Sequence, residues 1–160
     1  MEEIKMLSVK EILSESLKKA ITIEIMGNLP EWFNPPEDIP VKAEIHKKYP
    51  FYAVYDNDNC IGFVALKIHN EYTAEIYNLG VLREFHRKGG GHLLIEACKN
   101  YCIKNDKYFL TVKTLDESAD YEPYDRTRAF YKKEGFIPLE VFTTYWNEEN
   151  PCLFLVKAIR

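Results

Sequence analysis

The segment between residues 72 and 115 constrains the fold more than any other part of the chain. Alternating apolar residues predict a strand over 72–82, and three glycines then precede an amphipathic helix that extends to about Asn105. Residues 107–115 predict a second strand. Two strands joined through a helix form a crossover unit, in which they are parallel neighbours in one sheet. The segment therefore predicts an α/β fold.

The remainder of the chain adds further strands and helices to this unit. A helix with apolar residues from Ile12 to Ile25 is predicted, with Ser8 as its N-cap and its end at Gly27 and Asn28. A short helix is predicted over about 125–134, ending at Gly135. The other predicted strands cover 4–9, 51–55, 60–68, 136–145 and 152–157. Together they predict a mixed, mostly antiparallel sheet of about seven strands flanked by helices, in a single domain over residues 1–160.

Composition excludes several classes of protein. The formal charge of −4 and the pI near 5.6 argue against a nucleic-acid-binding protein, which would show a basic face. No apolar run approaches the roughly 18 residues of a membrane span, and the opening residues lack the pattern of a signal peptide, so we expect a cytoplasmic protein without membrane association. The four cysteines form no C-x-x-C pair, and no histidine lies at ligand spacing, so no metal site is predicted.

The glycine-rich loop before the central helix carries the first chemistry. Its glycines, Gly89, Gly90 and Gly91, let the backbone approach a ligand closely. The N–H groups at the start of the helix and the adjacent cations Arg87 and Lys88 favour phosphate oxygens. The loop matches neither the Walker A pattern nor G-x-G-x-x-G. Residue type alone leaves two alternatives open, a phosphate-binding loop and a simple turn.

Two motifs together resemble the GNAT superfamily of N-acetyltransferases. The first is the strand end at 79–81, the loop from His86 to Gly91 and the Leu-Leu helix after it, which resembles the acetyl-CoA loop of that family. The second, over 127–136, resembles the family's F-Y-x-x-x-G-F signature. His86 stands where the family usually has Gln or Arg, and Tyr124 stands where it often has Asn. The stretches 29–33 and 149–153 look like an uncharacterised bacterial branch of the family.

The resemblance implies a GNAT fold in which the parallel pair of strands splays and holds acetyl-CoA, with no metal. Backbone groups of Leu79 and Val81 would pair with the pantetheine amides. The pyrophosphate would lie on the loop before the helix. The implied cofactor-binding residues are Leu79, Val81, His86, Arg87, Lys88, Gly89, Gly90, Gly91, His92 and Tyr131.

The resemblance also implies a reaction, the transfer of an acetyl group to a primary amine by direct attack on the thioester. Tyr131 is the candidate acid for the departing thiolate, and Glu75 is the candidate base for the amine. Two alternatives stay open: Tyr131 as a packed core aromatic, and Glu75 as a solvent-facing strand carboxylate, with water chains to bulk solvent removing the proton. His46, His69 and His92 are interpreted as surface or core polar groups.

The acceptor is expected to be a small amine. The candidate substrate-binding residues are Trp32 and Phe33 in an early aromatic loop, Glu75, and Tyr121 in an acidic segment over 116–125. A protein N-terminus or lysine is an alternative acceptor, and a non-catalytic acyl-CoA sensor or interaction module is an alternative function. The C-terminal strands could also pair between subunits and form a homodimer.

Overall fold

The computed structural model describes residues 6–160. Its strands are β1 (Leu7–Glu11), β2 (Phe51–Asp56), β3 (Asn59–Ile68), β4 (Thr73–Val81), β5 (Phe109–Leu115), β6 (Ile137–Asn147) and β7 (Asn150–Ala158). Its α-helices are α1 (Glu15–Gly27), α2 (Asp38–His46), α3 (Gly90–Lys104) and α4 (Pro123–Lys133). The first residues of the strand predicted over 4–9 lie outside the described residues.

The strands form a seven-stranded sheet in the order β1-β2-β3-β4-β5-β7-β6. β4 and β5 pair in parallel, whereas the pairs β1–β2, β2–β3, β5–β7 and β6–β7 are antiparallel. The parallel register begins with Thr73 opposite Phe109 and stops with Ile76 opposite Val112, five residues before β4 ends. The predicted mixed sheet with a parallel pair beside the crossover helix is confirmed.

The described chain divides into two compact units. The first runs up to Lys67 and includes Asn78–Cys98, and the second comprises Ile68–Tyr77 and Lys99–Arg160. β4 and α3 therefore each contribute residues to both units. The assignment of residues 1–160 to a single domain stays a prediction.

In the first unit, α1 begins later than the sequence pattern predicts. Ser14, not Ser8, is the N-cap, and its side-chain oxygen accepts a hydrogen bond from the N–H of Leu17 at 3.2 Å. Ser8 lies in β1 opposite Tyr55. The prediction of Ser8 was wrong because the backbone stays extended through Ile12, whose N–H donates to the carbonyl of Phe51. The predicted end at Gly27 and Asn28 is confirmed.

The helix α2 is not anticipated by the sequence pattern. Three prolines at 35, 36 and 40 argue against a helix there. Pro40, however, is only the third residue of α2, where its missing N–H would have no partner within the helix. Ile39, Ala43 and His46 are buried on this short helix.

The core of the first unit packs α1 and the aromatic loop against β2 and β3. The rings of Phe51 and Phe63 stack at 5.2 Å between centroids, and both are fully buried. A close contact lies beside them between β3 and the end of β4, where a Cβ on Gly62 would stand 2.7 Å from the carbonyl oxygen of Gly80. Glycine at position 62 is what allows this approach.

The second unit contains β5, β6, β7 and α4, together with the first part of β4 and the end of α3. α4 begins with Pro123 at its first turn, a position that proline favours, and is followed by Gly135 with φ +94°. Among the eleven residues of β6, only Phe142 is not exposed. The pairing register of β6 with β7 shifts between Pro138 and Glu140 and again between Phe142 and Asn147.

No helix among residues 6–160 combines the length and the apolar character needed to cross a membrane. The same part of the chain contains no group of three or more His, Cys, Asp or Glu residues that could hold a metal ion. None of the four cysteines, all of which lie within the described residues, is in a disulfide; Cys98, Cys102 and Cys152 are buried, and Cys60 is half-buried.

We predict that Gly62→Ala destabilises the protein by about 1–3 kcal/mol, because the new methyl group meets a backbone oxygen that cannot move away. Urea unfolding monitored by circular dichroism measures this loss. Gly27→Ala is the matched control, since a Cβ there meets nothing within 4 Å and should leave the stability unchanged or slightly raised. Equal stability of the two variants would contradict the close contact.

Candidate active site

The glycine-rich loop forms a compact turn at the start of α3. Residues 83–85 make one 3-10 turn, after which Arg87 and Gly89 both adopt positive φ, +64° and +94°. α3 then begins at Gly90, and its first intrahelical bond runs from the N–H of Leu93 to the carbonyl of Gly89. The N–H groups of the first turn have no partner within the helix. Arg87 and Lys88 are exposed beside them, so this end of the helix can bind an anion.

His86 holds the loop onto the end of β4. Its Nε2 donates a hydrogen bond to the carbonyl oxygen of Val81 at 2.7 Å. Its ring also meets the indole of Trp32 edge to face, with the centroids 5.6 Å apart. One nitrogen of His86 is therefore engaged with the backbone, and its predicted contact with the cofactor stays a prediction.

The early aromatic loop packs against the same region of the first unit. The Glu31 carboxylate pairs with the Arg83 guanidinium. Phe33 lies against Gly80, where a Cβ would come within 3.3 Å of its ring. The structure thus brings Trp32, predicted for the acceptor, against His86, predicted for the cofactor, and Phe33 against Gly80 in β4.

A buried histidine fixes β4 immediately before Leu79. His46 is fully buried; its Nδ1 lies 2.8 Å from the Thr22 hydroxyl and its Nε2 lies 2.8 Å from Oδ1 of Asn78. Burial lowers the pKa of His46 to about 4, against an ordinary value of 6.5, so the ring is neutral at pH 7. His46 is the core polar group that the sequence interpretation allowed, and it joins α1 and α2 to β4.

Glu75 lies in the second unit at the centre of a charged cluster. Its Oε1 accepts from Nε2 of His69 at 2.6 Å and its Oε2 from Nζ of Lys113 at 3.0 Å. The Glu75 side chain is only 7% exposed. The alternative of a solvent-facing strand carboxylate is therefore wrong, because these two partners keep a buried carboxylate satisfied.

Aromatic rings and a thiol surround this cluster. Nζ of Lys113 lies 5.1 Å from the ring centroid of Tyr145 and 5.5 Å from that of Phe154. Burial raises the pKa of the Cys152 thiol to about 11, so the thiol is neutral at pH 7. The charges of the cluster are thus those of Glu75 and Lys113, together with His69 when it is protonated.

Tyr131 is buried on α4. Its ring meets those of Phe130 and Phe136 edge to face at 5.2 and 5.5 Å. The ring is packed in the core, as one alternative held, and the acid role of its hydroxyl stays a prediction. Arg128, one turn earlier, is 7% exposed, donates to the carbonyl of Leu115 at 2.7 Å and pairs with Asp125.

The acidic segment after β5 is partly used within the fold. Asp116 accepts from the N–H and the hydroxyl of Ser118, while Asp125 pairs with Arg128. Tyr121 is 39% exposed, and its ring lies 6.0 Å from that of Tyr124. Burial, together with Tyr121, raises the pKa of Tyr124 to about 12, so its hydroxyl stays protonated.

Sequence reasoning missed the partners that orient these groups. Lys113 and Asn78 carry no motif that would single them out, and Arg128 lies in the second motif but outside its F-Y-x-x-x-G-F residues. The register of the strands could have found Lys113: Glu75 pairs with Thr111 and shares its face of the sheet, and Lys113 lies two residues further along the same face of β5.

Comparison with known proteins agrees with this architecture. A family model described as an acetyltransferase (GNAT) domain matches residues 47–138. None of the curated protein sequences matches the chain.

Solved structures share the fold at low sequence identity. One described as a GNAT-family acetyltransferase from Desulfovibrio desulfuricans is 15% identical, with a TM-score of 0.83 over 97% of this chain and 100% of that one. The ribosomal-protein-S18-alanine N-acetyltransferase of Escherichia coli is 15% identical, with a TM-score of 0.76 over 96% and 94% of the two chains. An aminoglycoside 6'-N-acetyltransferase in complex with coenzyme A is 15% identical, with a TM-score of 0.75 over 97% of each chain.

We predict that His46 makes the stability depend on acidic pH. Its pKa is lower in the folded state, so the unfolded state binds more protons between pH 6.5 and about 4. The free energy of unfolding should therefore fall by about 3 kcal/mol as the pH drops through this window. Urea unfolding at several pH values measures the fall, and His46→Gln should show a shallower one. The same pH dependence in both proteins would contradict this role.

Proposed function

Because the chain belongs to the GNAT family of acetyltransferases, we propose that it moves the acetyl group of acetyl-CoA to a primary amine of a small molecule. The observation that carries the proposal is the turn at 86–92. There the family's cofactor motif coincides with two positive-φ residues, exposed cations and a helix N-terminus. The attacking nitrogen forms a bond to the thioester carbon, and the bond from carbon to sulfur breaks.

The loop is proposed to bind the pyrophosphate of acetyl-CoA. Gly89 and Arg87 adopt the left-handed conformation that turns successive N–H groups toward one side, and the first turn of α3 adds more donors. Gly90 is buried, and a side chain there would meet Ile61, Val54 and Val81 at 3.7 Å. Leu79 and Val81 follow the last residue of β4 that pairs with β5, which supports backbone pairing with the pantetheine there.

Proton transfers complete the proposed reaction. The Tyr131 hydroxyl gives a proton to the departing thiolate and regains one from solvent. The incoming ammonium loses its proton to the charged cluster that contains Glu75. This proton must leave because the amine attacks in its neutral form. A negatively charged carboxylate near the acceptor also favours the binding of the cationic form that arrives first.

The acceptor is proposed to contact Trp32, Phe33 and Tyr121, whose rings are half-buried or exposed. Exposed carboxylates of Glu117 and Asp120 support a cationic acceptor. Two of the proteins with similar structures are named for different acceptors, an aminoglycoside and an alanine of a ribosomal protein. A panel of amines must therefore cover both classes.

We predict that acetyl-CoA binds with micromolar affinity and that Gly91→Glu abolishes this binding, because the new carboxylate fills the loop and repels phosphate. Isothermal titration calorimetry measures both, with NAD as an unrelated dinucleotide. Asn100→Glu, an exposed position later in α3, is the control with the same added charge and should bind normally. Unchanged binding by Gly91→Glu would show that the loop is not the phosphate site.

We predict that Tyr131→Phe lowers kcat at least about 100-fold and leaves the Kd for acetyl-CoA within about threefold, because only the proton donor is lost. Thiol release is measured with spermidine, tyramine, kanamycin and a peptide with a free N-terminal alanine as acceptors. Tyr108→Phe makes the same chemical change outside the proposed site and should retain activity. Equal losses in kcat and in affinity would assign Tyr131 to cofactor binding. Turnover of the peptide alone would identify a protein acceptor.

A further inference from the structure

We propose that the group which takes the proton from the acceptor amine is Nδ1 of His69, and that Glu75 is the positioning residue that holds this ring. The inference rests on the proposed function and names the proton acceptor within its charged cluster. It follows from hydrogen bonds, exposure and charge among His69, Glu75 and Lys113, which all lie in the second unit.

The two oxygens of Glu75 each have a donor already. Oε1 accepts from His69 at 2.6 Å and Oε2 accepts from Lys113 at 3.0 Å, and the side chain is 7% exposed. A substrate ammonium therefore has little direct access to this carboxylate, which is buried and already bonded to two donors. The Lys113 side chain is itself only 15% exposed, so its departure from Glu75 would leave a buried charge without its partner.

The hydrogen bond to Glu75 determines which nitrogen of His69 is basic. A carboxylate in an ion pair with Lys113 has no proton to donate, so Nε2 of His69 carries the hydrogen of their bond. In the neutral ring the lone pair is then on Nδ1. The His69 side chain is 34% exposed, against 7% for Glu75, so His69 is the side chain of the pair that a solute can reach.

The surrounding charges suit a proton acceptor. Glu75 from β4 and Lys113 from β5 offset each other, while Cys152 from β7 is neutral, and Tyr145 and Phe154 line the lysine. Glu71 lies exposed in the turn that carries His69. When Nδ1 gains a proton, the imidazolium is stabilised by the carboxylate already bonded to its other nitrogen.

The proton transfer balances without another reagent. The N–H bond of the ammonium breaks, its electron pair stays on the amine nitrogen, and a bond from Nδ1 to hydrogen forms. The amine then attacks the thioester. The exposed ring afterwards returns the proton to water, which readies the enzyme for the next acceptor.

The test uses the full-length protein and the panel amine with the highest turnover. We expect His69→Gln, whose amide keeps a donor for Glu75, to lower kcat/KM at least about 100-fold. Its acetyl-CoA Kd and melting temperature should match the wild type. The pH profile of kcat/KM should differ between the wild type and the variant, because only the wild type carries the imidazole that takes the proton. Added imidazole should restore part of the activity of His69→Ala, a rescue that a purely structural role would not give.

Glu71→Gln, which removes a charge from the same turn, is the control and should keep wild-type activity. A His69→Gln enzyme within about threefold of the wild type overturns the proposal, and an inactive Glu75→Gln in the same assay would then assign the proton to the carboxylate. A wild type that binds acetyl-CoA and acetylates no amine of the panel overturns the proposed reaction, and this inference with it.

Discussion

The end of the parallel pairing at Ile76 is the constraint on which the rest of the site depends. β4 continues to Val81 after its last residue paired with β5. Contacts within the first unit hold this extension: the close approach of Gly62, the hydrogen bond from His86 to Val81, and the buried link from His46 to Asn78. Beyond Ile76 no pairing with β5 fixes this part of β4, so its position depends on such supports.

Buried polar groups fix the position of β4 in the first unit and of the His69 ring in the second. His46 stays neutral and costs little to bury because both ring nitrogens have partners. Glu75 and Lys113 are charged, and an ion pair of this kind seldom adds much stability after the cost of desolvation. What the pair provides is a fixed orientation, since a carboxylate with both oxygens engaged holds the imidazole of His69 in one place.

Much of the fold and the glycine-rich turn could be predicted from sequence, because both depend on local spacing. Alternating apolar residues mark the strands, and Gly27 and Gly135 mark where helices end. Ser8 was predicted as the N-cap of α1, but the extended segment is longer than the pattern indicates, and the hydroxyl of Ser14 caps the helix instead. α2 was missed because Pro35 and Pro36 precede it and Pro40 lies in its first turn, a position where a helix tolerates proline. His69 and Lys113 became visible only when strand register and the fold of the turn brought them to Glu75, which no local pattern encodes.

The ion pair between Glu31 and Arg83 gives the aromatic loop a sensitivity to dissolved salt. Both side chains are substantially exposed, so mobile ions screen their attraction, with a Debye length of about 8 Å at physiological ionic strength. The contact between the rings of Trp32 and His86, and the packing of Phe33 against Gly80, depend little on ionic strength. As salt rises, the loop loses one of its attachments and keeps the others, and the guanidinium of Arg83 becomes freer to attract other anions.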